Sequence, residues 1–159
     1  MTRPPVAAAL LALVLAACTS AGPRRGDEDE HYVPGLGEIM SATQMRHLKL
    51  WYAGEARNWP LASYEIDELE EGFADVARFH PVHKDSPRPL SELLPELTTG
   101  PIAALRQAVA SENPRAFVTA YDALTEACNA CHAAARFSFN VVQRPTRNPY
   151  ANQRFEPAP

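Results

Sequence analysis

The sequence predicts an all-α protein: an antiparallel (up-down-up-down) four-helix bundle followed by a Pro-rich C-terminal tail. Four stretches repeat apolar residues at steps of three and four, which is helical periodicity, and no stretch shows the period of two that marks a strand. The connections between the first two and the last two stretches are short, which favours antiparallel neighbours. A chain of 159 residues with 46% hydrophobic content fits one globular domain.

The first helix is predicted from about Leu36 to Glu55, and the second begins near Asn58. Asn58 can cap a helix, Pro60 is tolerated in the first turn, and Pro81 ends the helix. The apolar stripe of the first helix contains Leu36, Met40, Thr43, His47, Leu50 and Gly54; that of the second contains Ile66, Leu69, Phe73, Val76 and His80.

A Pro-rich connector is predicted from Pro81 to about Thr99, with a short helical turn at 91–97. A short third helix is then expected to start at Pro101. The fourth is capped by Asn113, with Pro114 at its first position. Its stripe contains Phe117, Tyr121, Leu124, Cys128, Cys131 and Ala135, which puts both cysteines on the inward face.

The flanking segments differ in composition from the predicted bundle, which spans residues 36–142. Residues 1–17 form a predicted signal peptide, because Arg3 precedes an apolar run that is too short to span a bilayer. Residues 18–35 are polar and charged and are expected to be a flexible tether. Residues 143–159 hold four prolines and predict either a flexible end or a strap lying on the domain.

The apolar run ends in Leu15-Ala16-Ala17-Cys18, which resembles the lipobox of bacterial lipoproteins. The resemblance implies lipidation of Cys18 and a protein anchored on the periplasmic side of a bacterial membrane. The alternative is an ordinary cleavable signal with an incidental cysteine. Lipidation would also account for the odd cysteine of the three, since an unpaired thiol is a liability in an oxidising compartment.

The charge of the chain argues against nucleic acid as a partner. The net charge is −4, and loss of residues 1–17 removes one arginine and gives −5. Phosphate binding needs concentrated Lys and Arg, whereas an acidic protein attracts a redox partner with a basic docking face. The acidic residues within 65–71 are expected to form a mostly solvated face: Glu65, Asp67, Glu68, Glu70 and Glu71. The sequence leaves a homodimer open.

Cys128-Asn129-Ala130-Cys131-His132 has the spacing of a c-type haem attachment site. Two thiols add to the haem vinyl groups, and the adjacent His132 turns its imidazole to the iron. A thioredoxin-like redox pair is disfavoured because no strand-rich fold is predicted, and a zinc site because no second cysteine pair is present. The motif therefore predicts one haem c per chain.

A haem motif near the end of the last helix of an all-α domain resembles the cytochrome c′ family. The likeness covers about 36–137 and depends on Cys128, Cys131, His132 and the basic Arg136. Ala135 departs from the family, which commonly has an aromatic residue there, and the tail is longer than expected for the family.

The second axial ligand is expected to come from the first helix. His47 and Met40 both lie on its inward stripe, two turns or roughly 10 Å apart, so one iron cannot take both. We expect His47, with Met40 as the alternative; an open position is what the resemblance to cytochrome c′ implies for many members. His80 and His83, beside Pro81, are interpreted as surface or helix-terminal residues.

The motif predicts an electron carrier rather than an enzyme, since no acid/base pair or oxyanion device accompanies the haem. Two alternatives of another class stay open: a five-coordinate haem protein that binds NO or CO, and a haem subunit of a redox complex that docks through the tail.

Overall fold

A computed structural model describes residues 32–158 of the protein. Within this range the chain forms four α-helices and no strand, and the helices pack as a bundle. The all-α prediction is thereby confirmed. The helices are α1 (Leu36–Glu55), α2 (Trp59–Phe79), α3 (Leu90–Ala110) and α4 (Pro114–Ala134). The predicted signal peptide 1–17, Cys18 and residues 19–31 of the predicted tether lie outside the described residues.

Two asparagine caps define where α2 and α4 begin, as the sequence predicts. The side-chain oxygen of Asn58 accepts a hydrogen bond from the backbone N–H of Leu61 at 3.2 Å. That of Asn113 accepts from the N–H groups of Arg115 and Ala116, both at 3.1 Å. Each bond satisfies a backbone donor that the first helical turn leaves without a partner.

The third helix is longer than the sequence predicts. It is continuous from Leu90 to Ala110, so the start at Pro101 and the separate turn at 91–97 are wrong, and Pro95 and Pro101 lie inside the helix. The start of α3 is buried at Leu90, Leu93 and Leu94. Burial of a leucine contributes about 1.5–3 kcal/mol, so three of them offset a cost of about 3 kcal/mol for each of the two internal prolines.

The helices pack in chain order, α1 on α2, α2 on α3 and α3 on α4, while α1 and α4 meet over a sparser contact. Two apolar clusters fill the bundle. The larger includes Trp51, Trp59, Leu105, Phe117 and Tyr121. The smaller joins residues from all four helices around the end of α4: Ile39, Val76, Leu90, Leu93, Leu94, Cys131 and Ala135.

Close packing of α1 against α4 depends on a glycine. Gly54 is buried, and a Cβ atom at this position would overlap the ring of Phe117. Only glycine lets the end of α1 approach the aromatic ring this closely.

Residues 143–158, hereafter the strap, form no helix or strand but contact the bundle. Arg144 pairs with Asp122 of α4 and lies 4.7 Å above the ring of Trp51 of α1. Phe155 is buried in the larger cluster, and its carbonyl accepts a hydrogen bond of 2.9 Å from the Asn58 amide. The strap thus contacts both α1 and α4, the neighbouring helices that have the sparser contact with each other.

The acidic run of α2 is not entirely solvated, which corrects the sequence prediction for Glu65. This side chain is 1% exposed, and its carboxylate lies 3.5 Å from the Arg46 guanidinium. Burial raises the pKa of Glu65, and the charge of Arg46 opposes that rise. Glu65 faces inward because it follows the helical step of Ala62, Ile66 and Leu69, all buried.

Candidate cofactor site

Cys128 and Cys131 lie one turn apart near the end of α4, as two residues at i and i+3 must. Both are free thiols; Cys131 is buried and Cys128 is partly buried. Burial, with a smaller contribution from Cys131, raises the pKa of Cys128 to about 12, and burial also raises that of Cys131. Both sulfurs are therefore protonated at neutral pH. A redox-active cysteine pair depends on a lowered thiol pKa, so the raised values are unlike those of a thioredoxin-like pair.

His132 is partly buried, and its ring is fixed by one backbone contact. Nδ1 lies 2.7 Å from the carbonyl oxygen of Asn140. A carbonyl only accepts, so Nδ1 carries the hydrogen and Nε2 of the neutral ring carries the lone pair. This is the tautomer in which Nε2 can bind a metal.

Two open cavities adjoin the cysteine motif. The first, of about 590 Å³, is lined by Cys128, Cys131, His132, Met40 and His47 together with apolar side chains such as Leu69 and Phe73. The second, of about 750 Å³, is lined by Cys131, His132, Met40, His83 and Phe137, among others.

Met40 and His47 occupy different positions relative to these cavities. Met40 is partly buried and lines both cavities, as His132 does. His47 is buried, lines the first cavity and uses both ring nitrogens in hydrogen bonds with α4. Nε2 contacts the Thr125 hydroxyl and Nδ1 the Tyr121 hydroxyl, each at 2.9 Å. The inward position predicted for His47 is thus observed, and its partners are Thr125 and Tyr121.

The two other histidines near the end of α4, His80 and His83, make separate contacts. His80 ends α2, and its Nε2 lies 2.8 Å from the backbone carbonyl of Pro34. His83 packs edge-on against Phe137 with 5.2 Å between ring centroids, and it borders the second cavity.

Sequence reasoning missed the part played by the segment after α4. Arg136 adopts a left-handed conformation with φ of 68°, which turns the chain back at the end of the helix. This return brings the Asn140 carbonyl to His132 and places Val142 beside Asn129. A basic residue at a left-handed position carries no signal for such a turn, whereas a glycine or asparagine would have indicated it.

Among residues 32–158, no group of three or more His, Cys, Asp or Glu side chains converges in a way that could hold a metal ion. No helix within the same range is long and apolar enough to cross a membrane.

Comparison with protein-family models, with curated proteins and with solved structures finds no match for this chain.

Proposed function

We propose that the protein is a c-type cytochrome. One haem c is bound covalently through Cys128 and Cys131, His132 is an axial ligand of the iron, and the protein transfers electrons outside the cytoplasm. The observation that carries the proposal is that both thiols and His132 border one cavity, with the His132 Nδ1 already committed to the Asn140 carbonyl.

The residues around the cavity fit a haem. Apolar side chains such as Leu69, Phe73 and Leu94 line the cavity and suit a flat hydrophobic ring. Each protonated thiol can add across a vinyl group: the sulfur bonds one carbon, the hydrogen goes to the other, and no oxidant is needed. When bound, the haem supplies a one-electron iron couple.

The antiparallel arrangement of the helices and the likeness to cytochrome c′ belong to the same proposal. Ile39 near the start of α1 clusters with Val76 and Cys131, which lie towards the ends of α2 and α4. At the other end of α1, Gly54 packs against Phe117 near the start of α4. Such contacts support up-down-up-down neighbours with the motif at the end of the fourth helix.

The contacts favour Met40 over His47 as the second axial ligand. Met40 lines both cavities that His132 lines, and a thioether sulfur keeps a lone pair for a metal. His47 would have to give up its hydrogen bond to Thr125 or Tyr121 to bind iron. His47 therefore serves better as a neutral wall of the cavity.

Covalent attachment is tested first. The haem is expected to stay with the polypeptide on a denaturing gel, to be held through one thioether in Cys128→Ala or Cys131→Ala, and to be extractable from the double variant. A wild-type chain without covalent haem after expression with a c-type maturation system would overturn the proposal.

Optical spectra then assign the second ligand. With Met40 bound, the ferrous protein is low-spin and unchanged by CO, Met40→Ala is high-spin and binds CO, and His47→Ala keeps a low-spin spectrum. Met45→Ala is the matched control, since Met45 lies on the same helix but lines neither cavity. A high-spin wild type that binds CO would instead support a gas-binding protein, and loss of the low-spin spectrum in His47→Ala alone would make His47 the ligand.

The proposed location is the periplasmic side of a bacterial membrane, with a lipid on Cys18. The support is the sequence of residues 6–18. Labelled fatty acid is expected to enter the wild type but not Cys18→Ala, which would fractionate as a soluble protein. Association with a basic redox partner is expected to weaken as salt rises; insensitivity to salt would argue against charge-driven docking.

A further inference from the structure

Asn129 lies between the two cysteines of the motif, and its side-chain amide is fully engaged with one backbone unit. Nδ2 donates to the carbonyl of Val142 at 2.9 Å, and Oδ1 accepts from the N–H of the same residue at 2.8 Å. Two hydrogen bonds of opposite polarity fix both the amide and the backbone at Val142 relative to α4. We call this pair of bonds the Asn129 clasp.

The clasp holds a short loop that also supplies the partner of His132. Residues 136–142 turn back from the end of α4, and Phe137 N–H donates to the His132 carbonyl at 2.6 Å. Two residues before Val142, the carbonyl of Asn140 accepts from His132 Nδ1 at 2.7 Å. The loop is therefore fixed at the helix end and at the clasp, with the acceptor for His132 between these points.

We infer that Asn129 is a positioning residue for His132. By holding Val142 it keeps the Asn140 carbonyl in place, and that carbonyl sets the tautomer and the orientation of the His132 ring. The consequence at the iron rests on the proposed function. An acceptor on the far nitrogen increases the basicity of a ligating imidazole and orients it, so the clasp acts on the iron through His132 without touching it.

The two bonds require a side chain that offers both a donor and an acceptor, which an amide supplies on separate atoms. Val142 presents one donor and one acceptor to the side chain, and only a group with both can pair with the two at once. An aspartate could accept from the Val142 N–H but could not donate to its carbonyl. An alanine could do neither.

The first test measures the midpoint potential of the haem-loaded protein. In Asn129→Ala we expect an upward shift, because a loosened Asn140 carbonyl makes His132 a weaker donor and destabilises ferric iron. Ser138→Ala is the matched control, since Ser138 is exposed in the same loop; its potential should equal that of the wild type. An unchanged potential in Asn129→Ala would overturn the inference.

The second test needs no haem. Nitrogen and carbon NMR shifts of the His132 ring in protein produced without haem report which nitrogen carries the hydrogen. The wild type should show the Nδ1–H form, and Asn129→Ala a larger share of Nε2–H. Val142→Pro removes the N–H donor outside the helices and should show the same change. It takes the place of Asn129→Ala if that variant folds poorly. A His132 ring that keeps the Nδ1–H form in both variants would contradict the positioning role of Asn129.

The two tests separate the inference from the proposed function. A wild-type chain that acquires no haem would reject the cytochrome, while the tautomer measurement would still decide the role of Asn129. If the wild type carries haem but the variants change neither the midpoint potential nor the His132 tautomer, only the positioning role of Asn129 is rejected.

Discussion

His47 of α1 is held between two hydroxyl groups of α4, those of Thr125 and Tyr121, each 2.9 Å from a ring nitrogen. The Thr125 hydroxyl donates to the Tyr121 carbonyl at 3.0 Å, so it accepts from His47 Nε2–H. The Tyr121 hydroxyl has one hydrogen, and it lies within hydrogen-bonding distance of both Nδ1 and, at 3.1 Å, the His47 backbone carbonyl. Burial lowers the pKa of His47 from 6.5 to about 4, so the imidazole is neutral at neutral pH.

Burial of the neutral His47 ring makes the stability of the protein depend on pH. The unfolded chain binds a proton at His47 below pH 6.5, whereas the folded chain does so only below about pH 4. The contribution of neutral His47 to stability is therefore complete above pH 6.5 and is lost between pH 6.5 and 4. The loss amounts to about 3 kcal/mol.

The measurement compares urea unfolding of the wild type and His47→Gln between pH 8 and 4. Glutamine does not titrate, so the stability advantage of the wild type should shrink as the pH falls through this window. Parallel profiles for the two proteins would contradict the assignment of a buried neutral histidine.

Replacement of Gly54 by alanine should destabilise the bundle by about 1–3 kcal/mol, because the new methyl group overlaps the Phe117 ring and forces it to move. Gly37→Ala is the matched control. Gly37 is also helical but has open space around its Cβ position, so the better helix propensity of alanine should leave stability equal or raise it by up to about 1 kcal/mol. Chemical unfolding followed by circular dichroism measures both, and equal effects would argue against the close approach of α1 and α4.

Loss of the Phe155 ring should weaken the bundle although Phe155 lies outside the helices. Phe155 is 5% exposed, and Phe155→Ala should cost about 3–5 kcal/mol. Phe139→Ala makes the same chemical change at a ring that is 81% exposed and should stay within about 0.5 kcal/mol of the wild type. Similar unfolding midpoints for the two variants would show that the strap does not pack on the bundle in solution.

The Arg46–Glu65 pair should behave as a buried ion pair. Arg46→Ala leaves the Glu65 carboxylate buried without its partner and should cost about 2–4 kcal/mol, below the full value for a buried pair because Arg46 is 22% exposed. Arg46→Leu combined with Glu65→Leu should lose less, since the only carboxylate left without Arg46 is then Glu68, which is 23% exposed. Arg88→Ala, which removes an exposed pair with Glu96, is the control and should leave the unfolding midpoint nearly unchanged. A double variant that loses more unfolding free energy than Arg46→Ala would reject the buried ion pair.

Local signals were sufficient to predict three helices and their ends. Asn58 and Asn113 cap α2 and α4 as expected, because a cap acts through a side chain on its own first turn. The prediction for α3 was wrong since proline rules describe local cost, whereas burial of Leu90, Leu93 and Leu94 depends on neighbouring helices. The tertiary contribution outweighed the local one.

The candidate site also has features that the sequence reveals and features that depend on the fold. The spacing of Cys128, Cys131 and His132 is visible in the sequence because the chemistry resides in their side chains. The partner of His132 is a backbone carbonyl, which every residue carries, so no residue type could have indicated Asn140. The hydrogen bonds of His47 to Thr125 and Tyr121 join residues more than 70 positions apart and needed the packing of α1 on α4.

The position of Phe155 also ties completion of the fold to the order of synthesis. Phe155 follows all four helices in the chain, yet it fills the core beside the turn between α1 and α2, where Asn58 binds its carbonyl. Polypeptide that has emerged only as far as Ala134 contains every helix but lacks this core residue. Until Phe155 is available, the core beside the turn between α1 and α2 therefore lacks one of its buried rings.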